Sequence, residues 1–185
     1  MAMKAKGELK DIFSGLNGVY VKKNGLDNFT SLNFDYDMPV TVDSFSFNQA
    51  EPTLNRTKVH GLQADWTVTS TAGEVTISAT VPTIDDELTS WFLGGGTDIA
   101  SAVLNGDSTS TWSGKSYTLQ SVKLYMGLGL ISDDKTKLCL IKKIAVYATP
   151  LFENASTTPF GFRLTGTIEA SDDAEDNIAF LTKGA

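Results

Sequence analysis

Alternation of apolar and polar residues marks the middle of the chain. In residues 74–81 four aliphatic residues alternate with hydroxyl residues, and in residues 65–70 Trp66 and Val68 alternate with threonines. A period of two places the apolar set on one face of a strand and the hydroxyls on the other. The two segments are separated by Thr71-Ala72-Gly73, and together they predict a β-hairpin.

The same pattern predicts further strands, some with an irregularity. Residues 40–47 change parity at Asp43-Ser44, which predicts a β-bulge, and Asn24-Gly25 after residues 19–23 is a type I′ turn signal. The remaining predicted strands are residues 29–37, 116–126, 137–149 and 161–171.

Helical spacing is confined to short segments. Ile84, Leu88 and Phe92 recur on one helical face, with Thr83 as the predicted cap and a glycine run from Gly94 as the stop. Shorter helical pieces are predicted over residues 8–13 and 98–104, and at the C-terminus, where Ile178 and Leu181 share a face behind the capping Asp172.

These elements predict a mainly β protein, an antiparallel β-sandwich or barrel with one flanking α-helix and a short C-terminal helix. We expect one domain over residues 1–185, with an N-terminal arm at 1–18 and a C-terminal arm at 171–185. Residues 48–63 lack a period and predict a long polar inter-strand loop, which in a compact domain is usually functional or disordered. Residues 105–114 predict a shorter one.

Charge narrows the function. Lys and Arg total 15 against 22 Asp and Glu, a formal charge of −7. That balance argues against a protein that grips nucleic acid by displacing phosphate counterions and against one that binds anionic membranes. The N-terminus has no apolar segment typical of a secretory signal, and no apolar run is long enough to span a bilayer. We therefore expect synthesis in the cytoplasm without a signal peptide and no membrane partner.

The sequence contains few candidates for catalytic residues. The single cysteine, Cys139, sits in an apolar run, and the single histidine, His60, has no nucleophile near it in sequence. Gly114-Lys115-Ser116 resembles the end of a phosphate-binding loop, but the glycine required five residues before the Gly-Lys pair is Thr109. No calcium-loop pattern occurs. The sequence predicts no enzyme activity, no cofactor and no metal.

The pattern of residues 40–92 predicts a strand, a polar loop with Asn-Gln…Glu-Pro-Thr, a Trp-bearing hairpin, a strand ending in Val-Pro-Thr and an amphipathic helix. With the late Leu-Thr-Gly-Thr at residues 164–167, this order of elements resembles the major tail tube protein of long-tailed bacteriophages, whose fold is shared by the tube protein of type VI secretion systems. The resemblance implies a phage or prophage virion protein of the tail, assembled in the host cytoplasm. It implies hexameric rings that stack into a tube, with other tail proteins as partners and DNA as transient cargo.

In that family a long loop and the chain termini contact neighbouring copies, which maps onto residues 48–63, 5–18 and 171–185. The resemblance thus implies an oligomer interface at nine positions: Ile12, Phe13, Glu51, Pro52, Leu54, Arg56, His60, Phe180 and Leu181. Short polar residues, Thr, Ser and Asp, are expected to line the channel.

A different class of function stays open. A β-sandwich module that binds carbohydrate or protein would use exposed aromatic rings as stacking platforms, with Trp112, Tyr117 and Tyr125 as candidates.

Overall fold

The computed structural model describes residues 12–153, 159–169 and 176–184. Within these ranges it has twelve strands and one helix: β1 Gly18–Lys23, β2 Tyr36–Met38, β3 Ser46–Gln49, β4 Thr53–Thr57, β5 Thr67–Thr71, β6 Val75–Val81, α1 Asp86–Leu93, β7 Thr97–Leu104, β8 Asp107–Ser116, β9 Lys123–Ile131, β10 Lys137–Leu151, β11 Gly161–Ile168 and β12 Ile178–Thr182.

Three antiparallel sheets contain these strands. Eight strands form the largest, in the order β2-β1-β9-β10-β11-β6-β3, with β12 beside β10. Strands β4 and β5 form a separate two-stranded sheet, and so do β7 and β8. The mainly β, antiparallel prediction is confirmed. The strand order begins at β2 and ends at β3, so the sheet is not closed into a barrel. Of the two predicted alternatives, sandwich or barrel, the open, sandwich-like one agrees with the structure.

The described residues divide into two compact units. The first contains residues 12–39, 125–144 and 176–184, and the second contains residues 40–124, 145–153 and 159–169. Strand β10 contributes residues to both. The single domain proposed from the sequence stays a prediction.

In the first unit, the alternation of β1 buries Val19 and Val21 and leaves Tyr20, between them, half-buried. Strand β9 runs beside β1 and contains Gly127 and Gly129. A Cβ atom at Gly127 would lie 2.6 Å from the side chain of Leu26, and one at Gly129 would lie 2.5 Å from the Phe34 ring. The two glycines therefore let neighbouring side chains pack directly on the strand backbone.

The second unit has its core where α1 meets β11. Phe92 of α1 and Phe162 of β11 are fully buried, with ring centroids 5.1 Å apart in an edge-to-face arrangement. Strand β6 pairs with β11 and buries Ile77, Ala79 and Val81, the alternating face predicted from the sequence. Burial of these aliphatic and aromatic side chains stabilises the unit.

Helix α1 begins later than predicted. Asp85, rather than Thr83, is the N-cap, and its carboxylate accepts hydrogen bonds from the backbone N–H groups of Glu87 and Leu88. Ile84 consequently lies outside the helix and is 63% exposed, so its predicted place on the buried face is wrong. The predicted stop is confirmed, because Gly94 adopts the left-handed conformation (φ 79°) that ends the helix.

The predicted hairpin of residues 65–70 with 74–81 is wrong. Strand β5 pairs with β4, while β6 pairs with β3 on one side and β11 on the other. The alternation correctly predicted which face of β6 is buried. It does not determine which strand lies beside β6.

Four other predictions are corrected. The loop predicted at residues 48–63 contains the end of β3 and all of β4, and residues 98–104 lie in β7 rather than a helix. The predicted bulge at Asp43-Ser44 is a turn in which Asp43 has a positive φ of 62°. The predicted C-terminal helix is wrong for residues 178–182, which form β12 against residues 137–141 of β10, because a ladder of backbone pairs outweighs a weak local helical pattern.

Two predictions lie wholly or partly outside the described residues. The predicted helix at 8–13 falls there except for Ile12 and Phe13, and the predicted cap Asp172 falls there as well.

Replacing Phe92 by Ala should lower the free energy of unfolding by about 3–5 kcal/mol, because it removes a fully buried ring from the α1–β11 core. Urea denaturation measures the change. Ile84→Ala is the matched control and should stay within about 0.5 kcal/mol of the parent. Equal losses for the two variants would mean that Ile84 shares the buried face.

Candidate assembly surfaces

The β4–β5 hairpin has two chemically different faces. In its register Leu54 lies opposite Ser70 and Arg56 lies opposite Val68. Side chains of directly paired residues share a face, and neighbours in sequence point to opposite faces. One face therefore carries leucine, arginine, valine and serine. The other carries only hydroxyl and amide side chains: Thr53, Asn55, Thr57, Thr67, Thr69 and Thr71.

Every residue of β4 and β5 is exposed, including its apolar ones. Val68 is 54% exposed, and Trp66, which directly precedes β5, is 63% exposed. Arg56 forms an ion pair with Asp65 (Nη1–Oδ2 3.4 Å), in which the arginine side chain is exposed and the aspartate side chain is partly buried. The hairpin thus presents apolar surface to solvent.

The β7–β8 hairpin has the same character. Ile99 lies opposite Gly114 and Ala102 lies opposite Trp112, with a register shift between the two pairs. Gly114 and Trp112 are two residues apart on β8, so Ile99 shares a face with Trp112, which is 61% exposed, and the shift brings Ala102 opposite Trp112. Asp98 faces Lys115 on the opposite face, so the charges there offset each other.

Such hairpins are not self-sufficient structures. A two-stranded sheet is marginally stable in water unless a third strand or a helix packs on its apolar face. All of β4, β5 and β7 is exposed, so neither hairpin gains much from burial in the isolated chain. Both hairpins are therefore surfaces that a partner would stabilise.

Opposite charges distinguish the two hairpins. Residues 53–71 contain two cations (Arg56 and Lys58) and one anion, a formal +1, and residues 97–116 contain one cation and two anions, a formal −1. Together they are neutral, so the whole chain charge of −7 resides outside them.

A second surface surrounds the β9–β10 loop of the first unit. The backbone N–H of Asp133 donates to Ser14 O (3.2 Å), which ties the loop to the N-terminal segment. The backbone N–H of Lys183 donates to Thr136 O (2.8 Å), which ties it to the end of β12. The loop therefore holds both terminal segments at one end of this unit.

Hydrogen bonds around one carboxylate organise that loop. Ser132 Oγ, fully buried, donates to Asp134 Oδ1 (2.5 Å) and accepts from the Lys137 backbone N–H (3.0 Å). Asp134 also accepts from the Thr136 backbone N–H (3.0 Å) and hydroxyl (2.7 Å). The Ser132 hydrogen bond, followed by those from Thr136, lowers the pKa of Asp134 to about 2.

The nine predicted interface residues fall into two groups. Ile12, Phe13, Phe180 and Leu181 belong to the terminal segments that the β9–β10 loop holds, all four are exposed, and Phe180 is exposed by 74%. The other five are exposed on or beside the β4–β5 hairpin: Glu51, Pro52, Leu54, Arg56 and His60.

Sequence reasoning missed the β7–β8 hairpin as a candidate surface. Its tip is Asn105-Gly106, in which Gly106 has a φ of 94°. Asn-Gly between two β-compatible segments is a strong short-range hairpin signal. This dipeptide could have revealed the hairpin from the sequence alone.

The aromatic candidates of the alternative function separate in the structure. Trp112 is exposed, whereas Tyr117 is half-buried with its hydroxyl 3.2 Å from Ser90 Oγ. Tyr125 is half-buried as well, and the Lys143 ammonium lies 4.8 Å from its ring centroid. Only Trp112 of the three presents an open platform.

Buried Cys139 is confirmed as a core residue, and burial raises the pKa of its thiol.

Among the described residues no three His, Cys, Asp or Glu side chains group as metal ligands would, and α1 is too short to cross a bilayer. Comparison with known protein families finds no match, and comparison with curated proteins finds none either.

Replacing Asp134 by Asn should reduce stability at pH 7, because the carboxylate that orders the β9–β10 loop loses its charge-assisted hydrogen bonds. The folded-state pKa, about 2, lies below the ordinary 3.8, so this contribution is present above about pH 4 and disappears as the pH falls towards 2. Melting temperatures of parent and variant should differ at pH 7 and converge near pH 2.

The control variant is Asp133→Asn, which removes the neighbouring charge and leaves the Ser132–Asp134–Thr136 bonds in place. A difference between parent and Asp134→Asn that stays constant from pH 7 to pH 2 would contradict the assignment.

Proposed function

We propose that this protein is a structural subunit that assembles with copies of itself into rings, which stack into a tube through which DNA passes, as the resemblance to phage tail tube proteins implies. The observation that carries the proposal is the pair of exposed two-stranded hairpins, β4–β5 and β7–β8, each with apolar side chains in solvent. A monomer gains nothing from presenting two such elements, whereas an assembly covers them.

Two different uncovered surfaces favour a ring over a simple dimer. When one patch of a subunit binds a different patch of the next, the contact repeats around a ring or along a filament. The hairpins differ in sequence and carry formal charges of +1 and −1, so each complements the other better than it complements its own kind. Pairing β4–β5 of one copy with β7–β8 of the next joins two different patches and brings opposite formal charges together.

Backbone hydrogen bonding supports the same arrangement. In the described residues β4, β5, β7 and β8 each pair with one strand, so each hairpin offers outer edges to a neighbour. Exposed edges invite further strand addition, and edge-to-edge joining satisfies their N–H and C=O groups. Two hairpins joined in this way form a four-stranded sheet at each subunit boundary.

The terminal surface supplies a separate contact. Its exposed apolar side chains, including Phe180 and Ile12, lie on the segments held by the β9–β10 loop. This surface belongs to a different compact unit from the hairpins. We assign it to contacts between rings or with other tail proteins.

Replacing Val68 by Asp should prevent assembly without lowering the melting temperature, because it puts a charge on an apolar hairpin face that is exposed in the isolated chain. Sedimentation velocity at rising protein concentration, with negative-stain microscopy, measures assembly. The parent should form rings or tubes and the variant should remain a small species.

Val42→Asp is the matched control, since Val42 is 84% exposed in the same unit but lies outside both hairpins. It should assemble like the parent. A parent chain that stays monomeric at every concentration would refute the proposed function, and normal assembly of Val68→Asp would refute the role of the hairpin.

A second candidate, a carbohydrate-binding module, is favoured by the exposed rings of Trp66 and Trp112. Flat indole rings in solvent stack on sugar faces. Glycan-array binding by a monomer, abolished by Trp112→Ala, would support this function in place of assembly.

A further inference from the structure

The chain contains three Asn-Gly dipeptides, at residues 17–18, 24–25 and 105–106. Asparagine is a thermolabile residue, and a following glycine makes it more so, because glycine has no Cβ atom to keep its backbone nitrogen away from the asparagine amide carbon. In a folded protein the reaction also depends on how freely the backbone can bring those two atoms together. The three dipeptides differ in this respect.

The first dipeptide is part of a strand ladder. Asn17 donates its backbone N–H to Ile131 O (2.9 Å), and Gly18 begins β1 in register with Ile131 of β9. The paired strand fixes this backbone in an extended conformation. Rotation of the Gly18 nitrogen towards the Asn17 side chain therefore requires local opening of the ladder.

The second dipeptide is a packed turn. Asn24, with a φ of 66°, donates its backbone N–H to Tyr125 O (2.9 Å). On the other side of the turn the Leu26 backbone N–H donates to Lys142 O (2.8 Å). A Cβ atom at Gly25 would lie 3.0 Å from the same carbonyl oxygen, so the turn lies directly against β10. This backbone is held on both sides of the dipeptide.

The third dipeptide is the tip of the β7–β8 hairpin. Asn105 and Gly106 are the two residues between the paired Leu104 and Asp107, and both are exposed. A Cβ atom at Gly106 would meet no atom of the described residues within 4 Å. The tip extends from β7, in which every residue is exposed. Of the three dipeptides it therefore has the most freedom to reach the geometry that the reaction needs.

We propose that Asn105-Gly106 is a site of spontaneous covalent modification in the isolated subunit. The Gly106 backbone nitrogen gives up its proton and bonds to Asn105 Cγ, and the side-chain nitrogen leaves as ammonia with that proton. Water then opens the resulting cyclic succinimide. Addition of water at Cγ gives aspartate, and addition at the main-chain carbonyl carbon gives isoaspartate, in which the main chain runs through Cβ. Water is the sole co-reactant.

Isoaspartate alters the hairpin more than aspartate does. It adds Cβ to the main chain of a two-residue turn, so the turn no longer fits the Leu104–Asp107 register. Aspartate leaves the main chain unchanged and makes the formal charge of residues 97–116 more negative, which still complements the positive β4–β5 hairpin. The consequence, which rests on the proposed function, is that isoaspartate at residue 105 prevents assembly whereas aspartate does not.

Peptide mass spectrometry of stored protein tests the site. The subunit is kept below its assembly concentration at mildly alkaline pH, with a parallel sample in urea, and isoaspartate is identified by labelling with an isoaspartyl methyltransferase. In the folded subunit Asn105 should convert at least about tenfold faster than Asn17 and Asn24, because those two must first open locally. In urea the three should convert at similar rates.

Asn105→Ser, which has no amide to lose, is the matched control and should show no conversion in the same peptide. A folded subunit in which Asn105 is stable, or in which Asn17 or Asn24 converts as fast, overturns the inference.

Sedimentation of the stored protein tests the consequence separately. The parent is brought to its assembly concentration, tubes are pelleted, and isoaspartate at residue 105 is quantified in both fractions. It should be confined to the supernatant, and freshly purified Asn105→Asp should assemble like the parent. Equal isoaspartate content in the two fractions, or loss of assembly by Asn105→Asp, contradicts the consequence. Failure of the fresh parent to form tubes refutes the proposed function instead, and the modification site is then decided by the conversion rates alone.

Discussion

A two-stranded β-sheet is at best marginally stable in water, and the described part of this chain contains two of them. The contrast with the rest of the protein is sharp. Strand β6 is flanked on both sides and buries Ile77, Ala79 and Val81, and Phe92 of α1 packs against Phe162 of β11. The hairpins have no such support within the described residues. Under the proposed function, a second copy of the chain supplies the support that the described residues do not.

The division of each hairpin into unlike faces links stability to function. Apolar side chains such as Val68 and Trp112 give an assembly something to bury, and the opposite faces of the same hairpins remain compatible with water. The charge distribution follows the same logic, because the two hairpins are neutral together and the −7 of the chain lies elsewhere. Such a combination suits the proposed tube, whose subunits must bind one another without binding the DNA that passes through it.

The sequence predicted the elements that are amphipathic over their own length. Strand β6 was recognised because one of its faces is buried, and the end of α1 was recognised because Gly94 supplies a conformation that other residues resist. Asp85 escaped notice because Thr83 and Asp85 are both acceptable caps and only the structure shows which one binds the helix N–H groups.

The sequence pattern did not predict which strands pair with each other. Val68 alternates with threonines just as the residues of β6 do, yet β5 turns back onto β4. Strand β12 is a second case in which the sequence pattern did not predict strand pairing. This five-residue segment has Ile178 and Leu181 at helical spacing, yet it pairs with β10 as a strand. The interface residues predicted from the sequence lie on or beside β4–β5 and on the terminal segments. None lies on the β7–β8 hairpin, whose Asn105-Gly106 turn signal is inside a stretch that was interpreted as a loop.

Hydrogen exchange followed by mass spectrometry, at concentrations below and above assembly, tests the central claim most directly, because it reports the stability of each hairpin separately from the core. The account predicts fast exchange in residues 53–71 and 97–116 of the isolated subunit, strong protection of both in the assembly, and unchanged protection of β6. Hairpins that are already protected in the monomer, or that stay unprotected in the assembly, would contradict it.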